Sequence, residues 1–191
     1  GDERYLLDAT EKNIPAGMLP LRCLNNKGRC LSLSQPGWIN LEPAEGASTF
    51  AVCNLKIEDG ELTGNIQFKK SGYSGMAACK KYEVDGEEKF MEAIRDNYKA
   101  WDIEDYEISH EDIEKNGFVE KYTLSVQDAM MEGGDMIYLS PILVEKWDEN
   151  PLKNASRKFP VDFNYPMHTK YMFNLIIPEG YTVEEIPESV R

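Results

Sequence analysis

The residues of this sequence best suited to covalent chemistry are four cysteines and two histidines. A thiol nucleophile needs a histidine to take its proton and a third group to orient the imidazole. His110 lies in an acidic run and His168 in a proline-containing turn. Either histidine could serve Cys53 or Cys79 only through a long-range contact. We interpret both histidines as exposed or structural, and we predict no catalysis by the chain alone.

Cys23 and Cys30 are the two cysteines closest in sequence, and their spacing is compatible with free thiols or with a disulfide. A zinc site normally shows cysteines two to four residues apart, with a second pair at matching spacing. That pattern is absent, as are the common nucleotide- and calcium-binding motifs. The sequence therefore predicts no metal and no cofactor.

Three tryptophans offer the one hint of a ligand surface, because aromatic rings stack well on the apolar faces of sugars. Their spacing does not bring Trp38, Trp101 and Trp147 together, so packing in or beside the core is the alternative interpretation. The 34 acidic residues say little about glycoside hydrolysis, because a run of charge is usually a solvated face.

The composition is typical of a folded globular protein. Hydrophobic residues make up 41% of the 191 residues and charged residues 29%, which is too apolar for disorder. A net charge of −13 would repel phosphate backbones and anionic lipids, so we predict no nucleic-acid partner. Since no apolar run approaches the roughly 20 residues that cross a bilayer, we also predict no membrane insertion.

The hydrophobic pattern predicts an α+β fold, mainly of antiparallel sheet, sandwich-like, with two short helices. Two alternating runs around residues 58–61 predict a hairpin, because Asp-Gly favours a tight turn. Helical spacing occurs in residues 73–82 and 87–98. Further strands are predicted at 5–7, 22–24, 30–33, 38–41, 106–109, 118–126 and 136–144. A hairpin is predicted between 22–24 and 30–33, and a last antiparallel pair at 161–165 and 171–177.

A polar stretch of small residues at 42–48 predicts a boundary between two parts of the chain. We therefore divide the sequence into residues 1–45 and residues 46–191. The second part contains the clearest hairpin and both predicted helices, so it should hold the larger core.

The residues before this boundary carry a resemblance to a known family. Tyr5-Leu6-Leu7-Asp8-Ala9-Thr10, with the Pro-rich stretch 15–25 after it, resembles the closing segment of bacterial transglutaminase-like domains. That family's triad runs Cys, then His, then an Asp on a strand. Asp8 matches the third position, which accepts the imidazole N–H and fixes its tautomer. The resemblance implies that the Cys and His lie upstream in a larger parent protein, and that Asp8 is catalytic in that parent only.

The C-terminal stretches 159–166 and 177–187 resemble the uncharacterised β-rich domain that follows such cores in exported proteins of Bacteroides-type bacteria. The resemblance implies a non-catalytic accessory domain, truncated at its C-terminus, in the periplasm or cell envelope. The partners it implies are the remainder of the parent chain, a second copy at an exposed sheet edge, and a peptide or glycan. The alternative is a self-contained glycan- or peptide-binding β module of the envelope.

Overall fold

A computed structural model describes residues 6–11, 14–31, 34, 36–43, 45–110, 117–144, 149–150, 152–154 and 156–188. Strands predominate in this part of the chain, and the predicted α+β class is confirmed. The elements are a 3₁₀ turn (Leu21–Cys23), α1 (Gly72–Asn97), β1 (Lys27–Cys30), β2 (Gly37–Asn40), β3 (Ala47–Glu58), β4 (Glu61–Ser71), β5 (Trp101–Ser109), β6 (Phe118–Val126), β7 (Met130–Gly133), β8 (Met136–Leu139) and β9 (Met167–Ile176).

The main sheet has five strands in the order β5-β6-β4-β3-β9. All neighbours in it are antiparallel except β3 and β9, which run parallel. Two small hairpins, β1-β2 and β7-β8, form separate two-stranded sheets. Strands β5 and β9 are therefore the two edges of the main sheet.

The predicted hairpin around residues 58–61 is confirmed as β3-β4. Glu58 pairs with Glu61, which leaves a two-residue turn. Both turn residues have left-handed backbone angles, with φ of 51° at Asp59 and 82° at Gly60. Consecutive positive φ values are what a tight hairpin requires, and Asp-Gly adopts them at low cost.

The two predicted helices are found at their expected positions within the single element α1. Its backbone leaves helical geometry at Gly86, where φ is 77° and ψ is 166°. The buried residues on either side of this break, Cys79 before it and Phe90, Met91 and Ile94 after it, join the main core. In the described part of the chain, no helix is both long and apolar enough to span a bilayer.

The main core lies between α1 and one face of the five-stranded sheet. Alternation along the central strands turns every second side chain toward the helix. The second layer over this face is therefore a helix rather than another large sheet, and each large apolar side chain buried there contributes about 1.5–3 kcal/mol. The largest fully buried apolar side chains are Leu55, Leu62, Ile66, Phe68, Met91, Phe118, Tyr122 and Leu124.

A smaller apolar cluster attaches the N-terminal segment to the sheet. Met18 packs with Ala47 and Tyr73. The Tyr73 hydroxyl donates a hydrogen bond of 2.7 Å to the Leu19 carbonyl, and its ring stacks on Tyr165 with centroids 4.6 Å apart. These contacts hold residues from before the proposed boundary against residues from after it.

The predicted antiparallel pairing of 161–165 with 171–177 is wrong. Residues 161–165 form no strand, and β9 instead pairs in parallel with β3 from Ala47↔Met167 onward. The Ala47 N–H donates a 2.8 Å hydrogen bond to the Pro166 carbonyl, so the chain enters the sheet beside the start of β3. A strand that enters at that end must run in the same direction as β3.

The predicted hairpin between 22–24 and 30–33 is also wrong. The Leu24 N–H bonds to the Leu21 carbonyl in a 3₁₀ turn, which removes residues 22–24 from any strand. Strand β1 pairs instead with β2, which lies inside the predicted segment 38–41 apart from its first residue. In the predicted strand 5–7, Leu6 and Leu7 have no regular structure and Tyr5 lies outside the described residues.

Candidate functional site

The Asp8 carboxylate, the one site residue predicted from the family resemblance, is held by three neighbours. Its Oδ1 accepts hydrogen bonds from the Thr10 backbone N–H at 2.8 Å and the Thr10 hydroxyl at 2.5 Å. Its Oδ2 accepts from Arg22 at 2.8 Å and from the Cys23 thiol at 3.5 Å. The Thr10 hydrogen bonds, with smaller help from Cys23 and Arg22, lower the pKa of Asp8. The carboxylate is therefore ionised at neutral pH.

The two histidines lie elsewhere in the described structure. The His110 ring packs near Tyr82 and Phe118, with centroid distances of 5.1 and 6.0 Å. His168 is in β9 and pairs in register with Ser48 of β3. Neither imidazole is among the partners found for Asp8 in the described residues.

Asp8 is linked instead to helix α1 through a chain of ion pairs. Arg22 contacts both Asp8 at 2.8 Å and Glu11 at 2.7 Å. Glu11 in turn contacts Lys80 of α1 at 2.5 Å. Because the Arg22 and Lys80 side chains are 50% and 67% exposed, the ion pairs orient the N-terminal segment more than they stabilise it.

All four cysteines are free thiols, so Cys23 and Cys30 are not joined by a disulfide. Cys53 is fully buried in the sheet, and this burial raises its pKa. Desolvation, with a smaller contribution from Asp8, also raises the pKa of Cys23. Neither Cys53 nor Cys23 is therefore activated as a thiolate at neutral pH.

The tryptophans share no surface in the described structure. Trp101 is buried and stacks on Tyr98, with ring centroids 4.1 Å apart. Trp38 is exposed on β2, with the Arg29 guanidinium 5.5 Å from its ring. Trp147 lies outside the described residues. The interpretation as core packing thus holds for Trp101.

One constellation of chemically active side chains was not predicted from the sequence. A Cys79 Sγ, a Glu83 carboxylate oxygen and a His110 ring nitrogen all lie within 4.8 Å of one another. Burial and the neighbouring Glu83 raise the pKa of the Cys79 thiol. Cys79 lies in the predicted helix 73–82 and Glu83 directly follows it, which was a visible signal, but nothing local linked them to His110.

A second unpredicted feature is a row of polar side chains across the open face of the sheet, opposite α1. Thr123 pairs in register with Asn65, Asn65 with Asn54, and Asn54 with Asn174, and Asp105 pairs with Thr123 at the β5 edge. Asn174 donates to the Asn54 amide oxygen at 2.8 Å, and Thr123 to that of Asn65 at 2.9 Å. We call these five residues the polar row.

A shallow depression of about 300 Å³ lies over part of this row. The Lys121–Glu107 ion pair, with an N–O distance of 2.8 Å, lines its side toward β5. Each amide of the row has two donors and an acceptor, so it retains hydrogen-bonding capacity beyond the contacts within the row. The surface can bind a ligand rich in hydroxyl or amide groups.

Comparison with known proteins gives one family match. Residues 135–191 match DUF3858, a family described as a domain of unknown function with a solved structure. This range is less than a third of the chain, contains β8 and β9, and overlaps the stretches that resemble an uncharacterised domain. No curated protein and no solved structure matches the chain. The transglutaminase-like origin of residues 1–45 stays a prediction.

Proposed function

We propose that this chain is a non-catalytic accessory domain of a larger transglutaminase-like protein, with a structural or binding role. The observation that carries the proposal is the environment of Asp8. Its carboxylate is held by Thr10, Arg22 and Cys23, and the segment that contains it is tied to α1 through Lys80. An acid fixed in this way supports neighbouring structure, and a triad role for it requires an imidazole.

The same environment supports the finer proposal that Asp8 completes a triad in the parent protein. Orienting an imidazole requires an ionised carboxylate, and the lowered pKa of Asp8 supplies one. In this proposal residues 1–45 close the parent's catalytic core, and residues 46–191 form the accessory domain in the periplasm or cell envelope. Its partners are the remainder of the parent and a second copy at the β9 edge.

We expect the isolated chain to show no amidase, peptidase or transamidase activity. A dye-labelled casein and a fluorogenic glutamine amide should be turned over no faster than in buffer, because an imidazole is not positioned at Asp8. The Asp8→Ala variant should give the same rate as the native chain.

A cysteine peptidase run in parallel verifies the assay, and circular dichroism verifies that Asp8→Ala is folded. Turnover that is present in the native chain and lost in Asp8→Ala would overturn the proposal. The gene sequence upstream of this segment tests the parent separately, because the proposal requires a Cys and a His encoded there.

The polar row favours a second candidate function, the binding of a neutral glycan. Its amide, hydroxyl and carboxylate groups lie at one level across all five strands, as the strand register requires. Such groups match the alternating donors and acceptors of sugar hydroxyls.

If the row binds glycans, soluble oligomers of glucose, xylose or N-acetylglucosamine should shift the side-chain amide NMR signals of Asn54, Asn65 and Asn174. Replacing Asn54 by Ala should weaken binding by about 2–10-fold, the value of one net hydrogen bond. Asn97→Ala, at the end of α1 on the other side of the sheet, is the matched control and should bind normally.

Shifts confined to the β9 backbone on addition of peptides would instead favour a peptide ligand at the sheet edge. The glycan proposal is contradicted if none of the oligomers moves the three amide signals, or if Asn54→Ala and Asn97→Ala lose affinity equally.

A further inference from the structure

We propose that Cys79, Glu83 and His110 form a binding site for one zinc-like divalent cation, with an open fourth coordination position. The inference concerns the edge of the fold between α1 and the end of β5, and it uses no residue of the Asp8 network or of the polar row. It is therefore independent of the accessory and glycan-binding functions proposed above.

The three side chains come from two elements that the fold brings together. Cys79 and Glu83 are one turn apart on α1, so they project from the same face of the helix. His110 directly follows Ser109, the last residue of β5. Their ligand atoms lie within 4.8 Å of one another. Bonds of about 2.0–2.3 Å in tetrahedral geometry place ligand atoms about 3.3–3.8 Å apart, and the Cys79 sulfur and a Glu83 oxygen already lie 3.8 Å apart.

Two of the three ligands are held before any ion binds. The Cys79 side chain is packed in the core, with only 3% of the residue exposed. The His110 ring lies against Tyr82 and Phe118, with ring centroids 5.1 and 6.0 Å away. Ordering these groups costs little on binding, because folding has already restricted them.

The donor set selects the kind of cation. Sulfur, imidazole nitrogen and a carboxylate oxygen together suit Zn²⁺, whereas Mg²⁺ and Ca²⁺ prefer oxygen ligands throughout. A thiolate and a carboxylate supply two negative charges, which balance a divalent ion. The net charge of −13 on the whole chain further favours cation uptake.

The alternative use of these residues, a Cys–His nucleophile pair, fits the site less well. An activated cysteine has a lowered pKa, but burial and the adjacent Glu83 raise the pKa of Cys79. A carboxylate 3.8 Å from the sulfur opposes a free thiolate and favours a metal-bound one.

Titration with Co²⁺ tests the site, because a thiolate bound to Co²⁺ gives a charge-transfer band in the near ultraviolet and tetrahedral Co²⁺ gives intense visible bands. The experiment uses the full chain, free of any affinity tag, with Cys23→Ser and Cys30→Ser to remove the two partly exposed thiols. We expect one equivalent of Co²⁺ to bind, Zn²⁺ to displace it, and Zn²⁺ to raise the melting temperature.

Substitution assigns the ligands. Cys79→Ser should abolish the charge-transfer band, and Glu83→Gln and His110→Gln should each weaken Co²⁺ binding at least about tenfold. His168→Gln and Glu92→Gln are the matched controls and should bind normally. Since Glu83 and His110 are not fully buried, their variants should fold even if Cys79→Ser does not. Unchanged Co²⁺ affinity in His110→Gln, or the lack of Co²⁺ binding at millimolar concentration, overturns the proposal.

Discussion

Replacing Lys70 by Met should lower the free energy of unfolding by about 3–5 kcal/mol, because the change leaves a buried charge without its partner. The Glu120 side chain is 1% exposed and lies on the core side of β6. Its carboxylate contacts the Lys70 ammonium at 2.5 Å and accepts the Tyr122 hydroxyl hydrogen bond at 2.8 Å. Urea denaturation at neutral pH measures the loss.

The fold offers a matched control for Lys70→Met on the same strand as Glu120. Lys121 also pairs with a glutamate, Glu107 at 2.8 Å, but the two side chains are 48% and 64% exposed. Lys121→Met should therefore cost no more than about 1 kcal/mol.

The double variant Lys70→Met/Glu120→Gln should recover most of the lost stability, because the neutral amide needs no counter-charge and can still accept the Tyr122 hydroxyl. Equal decreases in the free energy of unfolding of Lys70→Met and Lys121→Met would show that burial does not determine how much each ion pair contributes to stability.

Replacing Gly72 by Ala should destabilise the fold by about 3 kcal/mol or more, through a backbone clash added to an unfavourable dihedral angle. Gly72 has a φ of 57° where β4 passes into α1. A Cβ there would lie 1.9 Å from the Gly46 carbonyl oxygen, which accepts the Tyr73 N–H hydrogen bond. The start of α1 or the start of β3 would therefore have to shift to relieve the clash.

Gly60→Ala isolates the dihedral part of this effect. Gly60 has a φ of 82° in the β3-β4 turn, and a Cβ added there meets no atom within 4 Å. Gly60→Ala should lower the free energy of unfolding by about 1 kcal/mol. Thermal or urea unfolding of both variants measures the difference, and similar losses would contradict a specific role for the contact between Gly72 and Gly46.

The parts of the fold that the sequence predicted are those set by local rules. Hairpin β3-β4 combines strict alternation with an Asp-Gly turn, so its register follows from adjacent residues. The parallel partner of β3 could not be predicted in the same way. Asn54 contacts Asn174, which is 120 residues further along the chain. No local sequence pattern predicts which edge of a sheet such a distant strand will join. Residues 22–24 were predicted as a strand, but a local hydrogen bond from the Leu24 N–H to the Leu21 carbonyl forms a 3₁₀ turn there instead.

The candidate sites also depend on contacts between residues that are distant in sequence. Asp8 was identified from a short contiguous motif, but its partner Arg22 lies 14 residues away. The polar row exists only because the strand register aligns residues from five separate strands. His110 reaches Cys79 and Glu83 because β5 ends beside α1, and helical spacing alone gives no information about a strand end.

The parallel pairing of β3 with β9 also bears on how the chain is made. On the ribosome β3, which ends at Glu58, emerges well before its outer neighbour, which begins only at Met167. During the interval one side of β3 presents unpaired backbone N–H and carbonyl groups to other nascent chains. Closing that gap requires a long loop to form, which makes the last step of folding slow. This intermediate therefore needs protection from aggregation until the residues of β9 have been synthesised.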